Sequence, residues 1–293
     1  MPNWRPAAQT HSHQDPGNDR PTALKVATPD SAPGSPLKTQ ADQRLGLRLG
    51  MIVAENLGKE FRDKDRGVIR AVGNLSFCCH PGQIYGLLGA NGAGKTTTLR
   101  MLATILTPTS GTASVAGFDI RQEPEKARQN LGFLSTATAL YGRLTALEMV
   151  EYFGCLHGLD RASARRRTLA LFERLDISAF LDRRCEALST GLKQRVSIAR
   201  TLVHDPPVMI FDEPTSGLDV ISARTMVDFI RECRASGKTV VFSTHVMSEA
   251  EKLCDTIGII HDGRLLAEGS LQELRACYGH ADLEEIFMRV VGG

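Results

Sequence analysis

The sequence predicts an α/β fold built on a mixed or parallel sheet, and three observations carry that expectation. Short, wholly apolar runs at Ile84–Leu88 and Val208–Phe211 have the pattern of central strands buried on both faces. A glycine-rich turn follows the first run and opens into a helical pattern. A carboxylate pair, Asp212 and Glu213, stands at the carboxyl end of the second, the edge at which open α/β sheets bind ligands.

Composition bounds the alternatives. The 293 residues carry 35 Lys+Arg against 33 Asp+Glu and are 42% hydrophobic and 5% aromatic, enough to bury a full core in one or two domains. No uninterrupted apolar stretch of about 18 residues occurs, and Met1 to Arg20 is polar and broken by proline. A spanning helix and a secretory signal are therefore not predicted. The seven cysteines form no C-x-x-C pair and no zinc-like spacing, which predicts reduced thiols in the cytosol. A net charge of +2 makes no general electrostatic case for nucleic acid as a partner, so any phosphate chemistry must be local.

Along the chain, residues 1–50 hold 7 of the 13 prolines and a single aromatic, Trp4, too little apolar surface to offset the entropy of ordering. This segment is expected to be disordered. At Met51 the composition changes into the strand-like MIVAENLGKEF, which marks Met51 as a candidate native start and residues 51–293 as the folded domain. Residues from about 137 to 187 read as helices, with Leu147, Val150, Tyr152, Phe153, Leu169, Leu171, Phe172 and Leu175 as apolar faces. The basic run Arg161, Arg165, Arg166 and Arg167 reads as a solvated helix face. A last helix places Leu283, Ile286, Phe287 and Val290 on one side, to pack on the body.

Gly89-Ala90-Asn91-Gly92-Ala93-Gly94-Lys95-Thr96 matches G-x-x-x-x-G-K-[ST] between that strand and a helix with Leu99, Leu102 and Ile105 on its apolar face. Its glycines let successive N–H groups turn inward on phosphate oxygens, and the helix start adds partial positive charge. Lys95 is expected to reach the β- and γ-phosphates, Thr96 to ligate Mg²⁺, and Thr97 to support that geometry. A Gly-rich turn can also simply cap a helix, but strand, loop, Lys-Thr and helix in this order point to a nucleoside triphosphate. Asp212 is then assigned to the metal and Glu213 to the attacking water; taken alone, the pair would read as a helix cap or turn.

Leu188-Ser189-Thr190-Gly191-Leu192-Lys193-Gln194-Arg195 lies between these motifs and leads into the helical pattern Val196, Ile198, Ala199, Leu202. Here the sequence resembles the ATP-binding subunits of ABC transporters, whose LSGGQ signature opens a helix in this segment. Ser216-Gly217-Leu218-Asp219 is similar to the family's D-loop, and Ser243-Thr244-His245, after a strand from Thr239 to Phe242, to its switch histidine. The resemblance implies a P-loop NTPase fold with an N-terminal antiparallel β part and a small helical subdomain at about 137–200. It also implies a head-to-tail homodimer in which Ser189 and Gly191 of one copy face the cradle of the other. His245 would contact the γ-phosphate and Asp219 would bridge the interface. Phe61 stands where the family sets an aromatic ring against adenine; an ordinary core phenylalanine fits the sequence equally well, and Asp63–Gly67 reads as an insertion before the next strand.

One departure concerns the glutamine that usually follows the strand Leu131–Ser135, where this chain has Thr136. A threonine is shorter and would act through a bridging water. Leu140 to Thr145, the run STGLKQR and the ending Asp282 to Arg289 resemble the NatA-type subunits of bacterial sodium exporters. The expected function is therefore ATP hydrolysis, with ATP and Mg²⁺, that powers export through a separate membrane permease at the cytoplasmic face of the inner membrane. Sodium efflux is the first candidate; a drug, lipid or polysaccharide cargo, or a soluble ATPase acting on nucleic acid or ribosomes, are the alternatives.

Overall fold

The structure, a computed structural model, describes residues 50–65, 67–135, 140–279 and 282–292. The expected disorder of the first 50 residues and the substitution at Thr136 fall outside the described residues, apart from Gly50. The chain first lays down β1 (Ile52–Asp63) and β2 (Gly67–Cys79) as an antiparallel hairpin. Asp63 and Gly67 close it as a register pair, with Gly67 at φ +74°. The stretch read as an insertion is thus the hairpin's turn, reached by strands longer than the sequence pattern suggested.

β3 (Ile84–Leu88) is buried along its whole length and feeds α1 (Lys95–Leu102). That helix is one turn shorter than expected. Thr104 at φ +57° ends it, and Ile105 is exposed rather than on its apolar face. β4 (Ser110–Val115), the short β5 (Phe118–Asp119), α2 (Pro124–Gln129) and β6 (Leu131–Ser135) follow.

α3 (Ala146–Leu156) opens with a reciprocal capping box between Thr145 and Glu148, and α4 (Arg161–Arg174) with Asp160 accepting from the Ser163 N–H. α5 (Thr190–Leu202) packs against both, around Met149, Val150, Phe172, Val196 and Ala199. Tyr152 and Leu169, expected on the apolar faces, are exposed, because each lies about a sixth of a turn beyond the edge of its helix's buried stripe. Arg165 and Arg166 face solvent, Arg165 paired with Glu151 at 3.0 Å.

β7 (Val208–Asp212), α6 (Val220–Ala235), β8 (Thr239–Thr244), α7 (Met247–Leu253), β9 (Thr256–His261), β10 (Arg264–Gly269), α8 (Leu271–Tyr278) and α9 (Leu283–Gly292) complete the described chain. The strands form two sheets, β2-β1-β4-β5 and β10-β9-β3-β8-β7-β6. In the second, every pair is parallel except β10 with β9. Leu87, Leu99, Met101 and Ile210 pack with Leu57, Leu75 and Val115 of the antiparallel sheet, so α1 is wedged between the two sheets. α9 buries Leu283, Ile286 and Phe287 against β9 and α7. Among the described residues no helix is long and apolar enough to cross a membrane.

Candidate functional site

The parallel strands β3, β7 and β8 end at the same edge and deliver the polar groups there. The glycine-rich turn leaves β3 with Gly92 at φ +85° and Gly94 at φ +104°, conformations that an L side chain resists. At Gly94 space is also closed, since a Cβ would lie 2.6 Å from the Ala71 carbonyl oxygen. Asn91 and Gly92 are exposed at the rim, Gly89 and Ala93 are buried beneath, and Thr97 is half-buried in the first turn of α1.

Lys95 is 3% exposed, and all three ammonium protons have acceptors. Its Nζ donates to the carbonyls of Gly89 at 2.7 Å and Ala90 at 3.0 Å and pairs with Glu213 Oε1 at 3.1 Å. The lysine is folded back on its own loop and on the carboxylate assigned to water. Glu213 sits at φ +47°, a strained backbone for a residue that is not glycine. Its other oxygen lies 3.4 Å from His245 Nδ1, on an imidazole whose side chain is 44% exposed.

Asp212 is buried at the end of β7. Its Oδ1 accepts from the Thr96 hydroxyl at 2.9 Å and from the Ser243 hydroxyl at 3.0 Å, and the Glu213 N–H donates to Ser243 Oγ at 3.0 Å. Ser243 is the group that sequence reasoning left without a role. The strand expected to end at Phe242 runs on to Thr244, which puts Ser243 inside the sheet in register with Asp212 and fully buried. A small hydroxyl residue directly after the apolar run Val240–Phe242 was the available signal. Two side-chain oxygens, from Thr96 and Asp212, at hydrogen-bonding distance form a donor set that suits a hard cation.

The other sequence candidates lie apart. Ser189 caps α5, accepting from the Leu192 N–H, and Gly191 lies in the first turn of that helix. Asp219 caps α6, where bonds from the Ser222 N–H and hydroxyl and from the Ile221 N–H hold its carboxyl below the usual range. Among the described residues no hydrogen bond or ion pair joins Ser189, Gly191 or Asp219 to the cluster around Lys95. Phe61 is 38% exposed, with the Lys59 ammonium 5.3 Å from its ring centre, so it is not a core phenylalanine.

Residues 72–216 match the family model described as ABC transporter. The chain is 41% identical to the ABC transporter ATP-binding protein NatA of Bacillus subtilis (strain 168) over 81% of its own length and 97% of that protein. It is 39% identical to a Nod factor export ATP-binding protein I of Ralstonia nicotianae, over 76% of this chain and 70% of the relative. The dimeric structure of the post-hydrolysis ATP-binding cassette MJ0796, bound to ADP and Pi, superposes with a TM-score of 0.68 at 27% identity, covering 75% of this chain and 99% of that one. Likeness that extends over nearly the whole of a relative leaves one classification: the chain belongs to the ATP-binding subunits of ABC transporters, and it is an ATPase.

Proposed function

We propose that this chain powers export through a separate integral membrane permease, working as a head-to-tail homodimer at the cytoplasmic face of the plasma membrane. The observation that carries this is the split between two groups of residues. Lys95, Thr96, Asp212, Glu213 and His245 are knitted into one cluster, whereas Ser189, Gly191 and Asp219 stand outside it on other helix starts. A second copy supplies the missing half.

In the proposed cycle the loop from Gly89 to Gly94 presents N–H groups to the β- and γ-phosphates of ATP, and Lys95 leaves its carbonyls and Glu213 to meet the same charge. Thr96 and Asp212 are the residues that would hold Mg²⁺, whose chemistry is to neutralise charge on the phosphate oxygens. Glu213 orients and deprotonates the attacking water, and His245, beside it, donates to the γ-phosphate. Ser189 and the Gly191 N–H of the second copy close on that phosphate at a helix start, and Asp219 lies at the join. Phe61 stacks on adenine. Hydrolysis then removes the charge that held the copies together.

Sodium efflux is the first candidate cargo, on the resemblance to NatA-type subunits of sodium exporters. The similarity to a Nod factor export protein keeps a larger organic cargo in view. Specific ATPase activity measured across a dilution series tests the shared site: activity per molecule is expected to fall as the protein is diluted to monomers, and a constant value refutes the homodimer. Vesicles carrying the co-purifying permease, assayed for ²²Na⁺ flux with and without ATP, test the cargo; ATP-driven turnover without sodium movement refutes sodium.

A further inference from the structure

The proposed nucleotide site is assembled from two sheets. The phosphate loop belongs to the parallel sheet, Phe61 to the antiparallel one, and a ligand that uses both depends on how the sheets are registered. The two meet at a bulge in β2. Lys59 pairs with Val72 and its neighbour Glu60 with Arg70, which leaves Ala71 as the extra residue. The Ala71 carbonyl faces two glycines, so that a Cβ would lie 2.6 Å from its oxygen at Gly94 and 2.7 Å at Gly263.

Gly263 lies in the tight turn between β9 and β10, where Asp262 at φ +45° and Gly263 at φ +73° have the paired positive angles of a hairpin turn. It is buried, and its peptide groups point both ways. Its N–H donates to the carbonyl of Ala93 in the phosphate loop at 2.9 Å. Its carbonyl accepts from the Gly73 N–H of β2 at 2.8 Å. One residue from a third element thus ties the loop that cradles phosphate to the strand that pairs with β1, in which Phe61 stands opposite Ile69.

We propose that Gly263 is a positioning residue for nucleotide: it fixes the sheet bearing Phe61 against the phosphate loop, so that ring stacking and phosphate binding reinforce one another in a single ligand. No other residue type fits, because any Cβ meets the backbone of Ala71 and Val72 rather than a movable side chain. The proposal rests on the stacking role given to Phe61 above.

The test is a double-mutant cycle on the full chain, with ADP and inorganic pyrophosphate as calorimetric probes. In the wild-type background Phe61→Ala is expected to weaken ADP roughly tenfold, the scale of one base stacked on one ring, and to leave pyrophosphate unchanged. Gly263→Ala is expected to weaken ADP by a similar factor and pyrophosphate less than about threefold, and in that background Phe61→Ala adds less than about twofold. The control Gly73→Ala, whose Cβ meets only the Arg70 side chain, keeps its N–H and the wild-type affinities. No effect of Phe61→Ala on ADP in the wild type overturns the stacking role itself. A full tenfold effect in both backgrounds leaves stacking intact and overturns the role of Gly263, as does an equal loss of ADP and pyrophosphate in Gly263→Ala. Should Gly263→Ala not fold, amide exchange in the wild type decides. ADP is expected to slow exchange at both Gly263 and Gly73, and pyrophosphate only at Gly263; equal slowing by both ligands overturns the proposal.

Discussion

The contact between Lys95 and Glu213 makes a prediction about binding that is separate from chemistry. The lysine is 3% exposed and 3.1 Å from a carboxylate that is itself 22% exposed. Coulomb attraction at that separation is about 5 kcal/mol in an effective dielectric of about 20, most of it offset by desolvation of the two charges. Glu213→Gln keeps an oxygen that can accept from Nζ and removes only the charge, so the net loss in the resting state is about 1–2 kcal/mol. Phosphate then competes for Lys95 against a neutral amide, and ADP is expected to bind about 5–30-fold more tightly. ADP is the right probe because it is not hydrolysed, so tighter binding cannot come from a stalled reaction. In parallel, loss of the base is expected to reduce kcat roughly 10²–10⁴-fold. Calorimetric titration of wild type and variant reads the first effect and steady-state phosphate release the second. Unchanged or weaker ADP binding refutes the competition. So does an undiminished gain in a Lys95→Ala background, which would assign the effect to simple repulsion between Glu213 and phosphate.

Two further predictions follow from groups that sequence reasoning did not use. Ser243→Ala removes the hydroxyl that bonds Asp212 and receives the Glu213 N–H, so it is expected to cost about 1–3 kcal/mol of stability and to lower kcat about tenfold with ATP affinity within about twofold; a folded variant with wild-type turnover refutes the role. His204 stacks on His157 with ring centres 3.6 Å apart, and its Nε2–H donates to the Leu131 carbonyl at 3.0 Å. Burial, together with the neighbouring His157, lowers the His204 pKa to about 4. A folded-state pKa below the unfolded value means that the unfolded chain binds the extra proton first, so stability is full above about pH 6.5 and falls as pH drops toward 4. Denaturant melts at pH 7 and pH 5 are expected to differ by up to about 2 kcal/mol from this residue, and His204→Phe is expected to flatten the difference; an unchanged slope refutes it.

The phosphate loop and the carboxylate pair were legible because each is a local pattern: a turn that only glycine permits, a lysine and threonine at a helix start, and acids closing an apolar strand. Ser189 was also legible at a helix start, since a short oxygen side chain before a helical run needs no tertiary partner to be recognised, whereas Asp219, placed only by family resemblance, turned out to cap the next helix. Where local pattern met competing geometry the expectation slipped. The helix after the loop stops at Leu102 because Thr104 turns left-handed, and β8 outruns its apolar stretch because pairing with β3 and β7 continues through Ser243 and Thr244.

Sequence alone therefore determined the chemistry on offer, through residue types whose spacing the backbone enforces over a few residues. The tertiary structure decided which of those groups meet: that Lys95 rests on Glu213, that Ser243 bridges the two carboxylate positions, and that Gly263 joins two sheets. These contacts span 118, 30 and 170 residues of chain (Lys95 to Glu213, Glu213 to Ser243, Ala93 to Gly263). Over such separations no local propensity acts, and only the packing of strands and helices brings the groups together.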